Sequence, residues 1–191
     1  MKFYALKDET HKIIVNDWEE AKGLLKTLKS PKYKSFKTKE EAEAFLNDKE
    51  LEIDFKLPSA FIDGSYDEKT ENYSFGGCLF LEGKIYYFKK KYFKDEYSPF
   101  RNVAGEIKGA GYIINYAINH KIKELNLYYD YNGIEKWYNG EWKANSPIAI
   151  EYVQFAEMAK QKIKINFFKI KSHTNNKYND LADKLAKEAL L

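Results

Sequence analysis

Two short apolar segments, each followed directly by an aspartate, constrain the fold more than any other feature of the sequence. They are Ala60-Phe61-Ile62 before Asp63, and Leu125 to Tyr129 before Asp130. Aspartate is a poor strand residue, although Asp63 with the following glycine can also mark a simple turn. A helical pattern separates the two segments, which favours parallel, neighbouring strands. Because parallel strands end at the same ligand-binding edge of a sheet, we expect both carboxylates at that edge.

The residues around these segments alternate between strand-like and helix-like patterns, as in an α/β fold. Glu82-Gly83 lies between two strand-like runs and predicts a hairpin. The whole pattern predicts a five-stranded mixed sheet flanked by helices, in the order β-β-β-α-β-α-α-β-α. The predicted strands are 60–62, 75–81, 84–93, 124–129 and 163–170, and the predicted helices are 103–118, 134–137, 148–160 and 180–191.

A small α+β unit is predicted in front of this sheet, over residues 1–47. Strand-like runs at 3–6, 13–15 and 32–37 alternate with two helical patterns, the first of them apolar from Trp18 to Leu28. Asp17 and the capping box Thr38-Lys39-Glu40-Glu41 mark the two helix starts. Residues 48–58 are polar and charged up to Pro58, so we assign them as a linker. The second domain then covers residues 59–191.

Composition and charge narrow the class of protein. The single cysteine, Cys78, excludes a disulfide framework within one chain and suits a reducing, cytoplasmic location. No apolar run is long enough to span a bilayer and no signal peptide is predicted, so we expect no membrane association. Net charge is only +3, yet residues 21–39 carry seven lysines and no acid, with Tyr33 and Phe36 among them. Such a stretch can bind phosphates and bases, or it can be an ordinary solvated surface.

Further acidic residues can reach the same sheet edge. Glu106 lies on the apolar side of the central helix, where an acid is costly unless it is paired or binds a metal. Stabilisation of the helix dipole is the alternative. In the last helix, a step of about 100° per residue places Asp183 beside the core stripe and Asp180 on the solvent side. We therefore expect Asp183 to be the site residue.

Four carboxylates, from Asp63, Glu106, Asp130 and Asp183, repel one another unless cations neutralise them. Hard oxygen ligands at a phosphate-handling edge select Mg²⁺ or Mn²⁺. Two such ions can promote an in-line displacement at phosphorus, and no Cys/His cluster in the sequence supports zinc. His173 lies in a polar loop before the last helix, where it can move protons or be incidental.

Residues 61–191 resemble the catalytic domain of type 1 ribonuclease H. The matching residues, in chain order, are Ile62-Asp63-Gly64-Ser65, Asn102 with Glu106, Asp130, and His173 with Asn179 and Asp183. The resemblance implies that the four acids bind two Mg²⁺ ions, for which Mn²⁺ can substitute. It also implies that His173 assists proton transfer or product release, and that Asn102 helps to contact the 2′-hydroxyl groups of RNA.

Residues 1–47 resemble the RNA–DNA hybrid-binding, viroplasmin-like domain found ahead of many such enzymes. The matching residues are Phe3-Tyr4-Ala5-Leu6, Trp18-Glu19-Glu20, Tyr33-Lys34-Ser35-Phe36 and Lys39-Glu40-Glu41-Ala42. The resemblance implies that Trp18 and Tyr33 pack against the DNA strand and that Lys34 contacts phosphate. Trp18 also fits the apolar spacing of its helix, so a core position is the alternative.

Together the two resemblances imply an endoribonuclease that cuts the RNA strand of RNA–DNA hybrids and leaves 5′-phosphate and 3′-hydroxyl ends; a monomer is expected. The chain departs from the family at three places. Tyr129 and Tyr131 flank Asp130 where Thr and Ser are common, residues 137–143 contain few lysines, and residues 67–72 replace a glycine-rich loop. The alternatives are a non-catalytic hybrid-binding protein and an enzyme of the same fold with another phosphodiester substrate.

Overall fold

The chain forms two compact units, Met1–Glu52 and Ile53–Leu191. The structure, a computed structural model, describes residues 2–47, 55–170 and 176–191. Most of the predicted linker lies outside these ranges, but Phe55 within it packs its ring against Phe80 and Tyr178, with centroids 4.7 and 5.6 Å away. The described end of that segment therefore belongs to the second unit. Among the described helices, none combines the length and apolar character that crossing a membrane requires.

The first unit is a three-stranded antiparallel sheet with a helix on each face. Its elements are β1 Phe3–Lys7, β2 Lys12–Val15, α1 Trp18–Leu25, β3 Lys32–Phe36 and α2 Lys39–Asn47, with strand order β2-β1-β3. Successive strand residues point to opposite faces, so Leu6 packs with α1 and Ala5 packs with α2. The predicted caps at Asp17 and Thr38 both form.

The first helix is shorter than its apolar spacing predicted. It ends at Leu25, where the Lys26 N–H donates to the Gly23 carbonyl at 3.2 Å and tightens the last turn. Leu28 is still buried in the α1 core. Apolar spacing alone could not distinguish helix from turn at this position, because both bury the leucine.

The second unit contains the predicted five-stranded mixed sheet, with strand order β6-β5-β4-β7-β8. Its strands are β4 Ser59–Tyr66, β5 Tyr73–Leu81, β6 Lys84–Tyr92, β7 Glu124–Tyr129 and β8 Lys164–Lys169. Its helices are α3 Asn102–Asn119, α4 Gly133–Tyr138, α5 Pro147–Lys160 and α6 Lys177–Leu190, and a 3-10 turn covers Ser98–Phe100. The neighbours β4 and β7 are parallel, as predicted.

Two predicted boundaries in this unit were wrong. Strand β4 continues beyond Asp63 to Tyr66, because β5 pairs with it antiparallel as far as Tyr66 opposite Tyr73. Helix α6 begins at Lys177, not at Asp180, because the Asn176 side chain accepts hydrogen bonds from the first backbone N–H groups of the helix.

The two faces of the larger sheet are covered unequally. Helices α3, α4 and α5 contribute to one core, which includes Ile62, Leu127 and Ile114, each with no exposed surface. Helix α6 covers the other face, where Ala182 packs with Phe61 and Tyr128. Both cores extend to the carboxyl end of β7, so side chains at that end lie on a rigid support.

Candidate metal centre and aromatic groove

Asp63 and Asp130 lie where two parallel strands separate. The parallel pairing of β4 with β7 covers Ser59 to Phe61 and then stops, whereas β4 continues along β5. Asp63 follows the last paired residue of β4 by two positions, and Asp130 directly follows β7. The two carboxylates therefore emerge at one edge of the sheet, as the sequence predicted.

Glu106 reaches the same edge because α3 lies unusually close to the sheet. A Cβ atom built on Gly64 would lie 2.1 Å from the Asn102 carbonyl oxygen, and one built on Gly105 would lie 1.9 Å from the Ser74 carbonyl oxygen. Only glycine fits at either position, since the obstacle is main chain and cannot rotate away. This contact places the second turn of α3, with Glu106, directly over β4.

The three carboxylates form a compact group. Ligand oxygens of Asp63, Glu106 and Asp130 all lie within 4.8 Å of one another. Glu106 is only 2% exposed, and its Oε2 atom has no hydrogen-bond partner among the described residues. Its Oε1 atom accepts a 3.4 Å hydrogen bond from the exposed Asn102 side chain. A buried acid with an unsatisfied oxygen, next to two more acids, fits a divalent cation with hard oxygen ligands.

Electrostatics in the absence of a cation agree with this geometry. Burial raises the pKa of Glu106 well above its usual value, and a hydrogen bond with the Asp130 carboxyl and the nearby negative charges raise it further. The nearby Tyr131 backbone amide opposes this shift and lowers the pKa of Glu106. Burial, followed by the charges of Asp130 and Asp183, raises the pKa of Asp63 to about 7. Both shifts favour the protonated acids, so a divalent cation would compete with protons at Asp63 and Glu106.

Asp183 lies near this group but outside the three-carboxylate cluster. Its carboxylate forms an ion pair with Lys187 at 2.7 Å, and its side chain is 38% exposed. Its charge nevertheless raises the pKa of Asp63, so it acts on the same site. Asp180 is exposed, in agreement with the prediction from helical geometry. His173 lies outside the described residues.

An aromatic groove in the first unit contains the predicted hybrid-contacting residues. It is lined by Tyr4, Trp18, Tyr33, Lys34 and Ser35. Trp18 is 39% exposed and Tyr33 is 54% exposed, with ring centroids 6.1 Å apart. The alternative core position for Trp18 is therefore wrong. The groove offers ring faces next to a lysine, which suits nucleobases or sugars with adjoining phosphates.

Sequence reasoning missed three contributors to these sites. Tyr4 lines the groove, although the sequence identified it only as part of the first strand. The Tyr131 backbone amide lowers the pKa of Glu106, and no sequence pattern predicts a backbone group at this position. Lys187 pairs with Asp183, and the spacing of four residues in a helix could have revealed it.

The fold and the site define an α/β domain that gathers carboxylates at the sheet edge for a divalent cation. Residues 58–191 match the RNase H family, and residues 2–46 match the family described as the ribonuclease H1 N-terminal domain. The chain belongs to the RNase H family.

Individual relatives agree in sequence and in fold. Ribonuclease H of Clostridium botulinum, from two strains, is 31% identical over 84 residues, or 42% of this chain. The match covers 48% of each curated relative, so the chain spans about half the length of these proteins. RNase H1 of Halobacterium salinarum has a similar fold, with a TM-score of 0.58 and 20% sequence identity. The match covers 70% of this chain and 97% of that one. LC11-RNase H1, solved in complex with an RNA/DNA hybrid, also has a similar fold, with a TM-score of 0.55 and 14% identity. That match covers 70% of this chain and 99% of that one.

Proposed function

We propose that the protein is an endoribonuclease that hydrolyses the RNA strand of RNA–DNA hybrids and leaves 5′-phosphate and 3′-hydroxyl ends. The observation that carries the proposal is the group of three carboxylates within 4.8 Å, one of them buried with an unsatisfied oxygen. Family membership supports the reaction class. A relative of the same fold, LC11-RNase H1, has been solved with an RNA/DNA hybrid.

The four acids would hold the cofactor, two Mg²⁺ ions for which Mn²⁺ can substitute. When bound, such ions lower the pKa of an attacking water and stabilise the leaving 3′ oxygen. Asp63, Glu106 and Asp130 would supply oxygen ligands from a rigid frame. Asp183, which pairs with Lys187, would supply the fourth carboxylate.

Neutral groups around the acids have separate roles in the proposal. Asn102 is exposed and hydrogen-bonded to Glu106, so it can meet a 2′-hydroxyl while it orients the acid. His173 assists proton transfer or product release, a role that rests on the sequence motif alone. Burial of Glu106 excludes water from one side of the centre, which strengthens charge interactions there.

The first unit is proposed to bind the hybrid before cleavage. Trp18 and Tyr33 would pack against the DNA strand, and Lys34 would contact phosphate. We propose the domain limits 1–47 and 59–191 with a linker at 48–58. A tethered binding domain raises the local concentration of substrate at the second domain.

The reaction is tested with a hybrid whose RNA strand is end-labelled, incubated with Mg²⁺ and, separately, with EDTA. We expect shorter RNA products that carry 3′-hydroxyl ends, and no products in EDTA. Duplex RNA and duplex DNA should stay intact; cleavage of either instead of the hybrid would indicate another substrate. Asp63→Asn should abolish cleavage and retain hybrid binding. If the wild-type protein binds the hybrid but cleaves it neither in Mg²⁺ nor in Mn²⁺, the proposal is contradicted.

The binding role of the groove is tested separately with Trp18→Ala. Loss of one stacking ring should weaken hybrid binding by roughly 5- to 150-fold, because such stacking contributes about 1–3 kcal/mol. The turnover rate at saturating substrate should be retained. Tyr87→Ala removes another exposed aromatic residue, 58% exposed on β6, and should bind the hybrid normally. Equal losses in the two variants would argue against a specific groove.

A further inference from the structure

Strand β6, the end strand of the larger sheet, carries a basic and aromatic segment that the proposed function does not use. Residues 84–94 contain five lysines, five aromatic residues and no acid. Because β6 is last in the strand order, one of its long edges is turned away from the other four strands. Cations and rings that alternate along an exposed segment are typical of surfaces that bind polyanions with accessible bases.

The side chains of β6 alternate between a packed row and an open row. In the packed row, Phe88 lies against Tyr116 of α3 with ring centroids 4.9 Å apart, and Tyr92 stacks on Tyr73 at 5.0 Å. The open row, called the β6 row below, consists of Ile85, Tyr87, Lys89, Lys91 and, directly after the strand, Phe93. The Phe93 ring stays on the side of the Lys91 side chain, whose Nζ atom lies 6.0 Å from the ring centroid.

Two rings of the β6 row are open to solvent. Tyr87 is 58% exposed, and Phe93 is 74% exposed, more than any other aromatic side chain among the described residues. Single exposed apolar residues are common, but rings gathered on one strand beside cations are typical of an interaction surface. The two rings stand at either end of a pair of lysines, so a ligand that meets one ring also meets a positive charge.

The lysines of β6 keep much of their charge available to a ligand. Lys89 pairs with Glu188 at 3.1 Å, but its side chain is 49% exposed, and exposed ion pairs contribute only about 0–1 kcal/mol. The Lys91 Nζ donates to the neutral Leu190 carbonyl at 2.6 Å. Lys90 is exposed, with its Nζ 5.0 Å from the centroid of a tyrosine ring of the same strand. A phosphate can therefore replace the present partners.

Charge and spacing select the class of ligand. A second copy of the chain, paired edge to edge, would bring five lysines against five, which disfavours it. A base-paired duplex keeps its base faces inside the stack, whereas a single strand presents them to a protein ring. Successive residues of the β6 row are about 7 Å apart, twice the rise per strand residue. This separation is close to that of phosphates along an extended single strand.

We propose that the β6 row binds single-stranded nucleic acid. Bases stack on Tyr87 and Phe93. Between these rings, Lys89 and Lys91 hold phosphates. The surface contains none of the four acids of the candidate metal centre, so the inference goes beyond the proposed function and does not depend on cleavage.

The experiment measures the binding of fluorescently labelled oligothymidylate by anisotropy, on the whole chain in EDTA. The parent protein carries Trp18→Ala, so that stacking in the groove of the first unit does not mask the result. Tyr87→Leu and Phe93→Leu should each weaken binding by roughly fivefold or more, the loss expected for one stacking ring. Tyr87→Phe keeps the ring and should bind like the parent. A fully paired hybrid offers no unstacked base, so the ring variants should bind it normally.

The salt dependence of the same binding tests the lysines. Lys89→Gln combined with Lys91→Gln should reduce the slope of log affinity against log salt by roughly 1.4, since each phosphate contact on a single strand contributes about 0.7. The matched control combines Lys160→Gln with Lys164→Gln, which removes two exposed lysines that form ion pairs on α5 and β8. Its slope should equal that of the parent.

Melting temperatures show whether each variant is folded. A folded parent that does not bind oligothymidylate would overturn the proposal, as would folded ring variants that bind it unchanged or a lysine variant with the parent's slope. Poly-glutamate that binds as tightly and is insensitive to the ring changes would indicate an acidic protein partner instead. Dimers that dissociate when the rings are replaced would indicate a second copy of the chain, and either result would overturn the proposal.

Discussion

The two units place their candidate functional groups in opposite environments. In the first unit, Trp18 and Tyr33 are 39% and 54% exposed on the surface of a small sheet. In the second unit, Glu106 is 2% exposed, on a helix whose main chain touches the main chain of the sheet. A binding surface needs accessible rings, whereas a cation site needs oxygen ligands that are gathered together and shielded from water. Changes in the second unit should therefore affect stability and activity together.

The largest effect is expected for Glu106→Gln. Removal of the buried ligand charge should lower the cleavage rate by about 10³-fold or more, which corresponds to about 4 kcal/mol. In EDTA above neutral pH, the variant should melt at a higher temperature than the wild type, because a buried carboxylate no longer meets Asp63 and Asp130. Cleavage assays and thermal melts measure the two effects.

The matched control for this variant is Glu157→Gln. Glu157 is an exposed helical glutamate, paired with Lys160 at 2.6 Å. Its replacement should change neither cleavage nor melting temperature appreciably, because exposed ion pairs contribute about 0–1 kcal/mol. A Glu106→Gln variant that still cuts at a rate near that of the control would exclude Glu106 from the site.

Asp63 in the second unit and Asp8 in the first should contribute to the pH dependence of stability with opposite sign. Asp63 has a folded pKa of about 7 against an ordinary 3.8, so its stabilising contribution is complete below 3.8 and is lost as pH rises through 7. In the first unit, backbone hydrogen bonds from Thr10, and also from Lys29 and His11, lower the pKa of Asp8. Its contribution is present above pH 3.8 and is lost as pH falls below that value.

Thermal melts in EDTA across pH 3 to 9 test this difference. As pH rises, Asp63→Asn should lose less stability than the wild type. As pH falls, Asp8→Asn should lose less stability than the wild type. Divalent cations should stabilise the second unit most at high pH, because metal ligands must be deprotonated. If the wild type and Asp63→Asn lose stability equally between pH 5 and 8, the raised pKa of Asp63 is wrong.

Glycine replacements test how tightly each unit is packed. Gly105→Ala should destabilise the second unit by about 1–3 kcal/mol, because the new methyl would overlap the Ser74 carbonyl oxygen. Gly23→Ala, in α1, meets nothing within 4 Å and should stabilise the first unit by about 0.5–1 kcal/mol. Gly111→Ala meets nothing within 4 Å either, and it controls for helix propensity within α3 itself. Urea unfolding curves measure all three, and a Gly105 variant as stable as the Gly111 variant would contradict the close contact.

The smallest effect is expected at Lys187, the partner of Asp183. Lys187→Gln removes a positive charge beside the acids and frees Asp183, so Mn²⁺ should bind up to roughly fivefold more tightly. Lys184→Gln removes a lysine of the same helix that pairs with Glu188 at 3.8 Å, and it should change little. Calorimetric titration of both variants measures the difference; weaker binding by Lys187→Gln would show that the lysine supports the site.

Local signals in the sequence were sufficient for much of this fold. Glu82-Gly83 predicted the hairpin. In the structure both residues adopt positive φ angles, 50° and 74°, as a tight turn between twisted strands requires. The order of strands and helices followed from apolar periodicity. The extension of β4 past Asp63 could not be predicted, because it depends on pairing with β5, a contact between distant residues that leaves no local pattern.

The site was predictable to a similar degree and for similar reasons. Asp63 and Asp130 were identified because each follows an apolar strand segment, and Glu106 because an acid on an apolar helix side is costly without a partner. The structure brings the three together. The pairing of Asp183 with Lys187 was not predicted, since the sequence argument considered the core stripe and not the charges beside it. Backbone contributions, such as the Tyr131 amide, depend on tertiary geometry and carry no residue-type signal.

The close contact of α3 with the sheet has a consequence for the precision of the site. Helix and sheet meet at Gly64 and Gly105 through main-chain atoms, so α3 cannot slide by even one residue, about 1.5 Å, without overlap. The backbones of Asp63 and Glu106 are therefore held at a nearly fixed distance, and this distance varies less than the position of a freely rotating side chain would. This distance does not depend on loop length or on surface composition. The parts of the chain that would meet substrate can therefore change in evolution while the spacing of the acids stays constant.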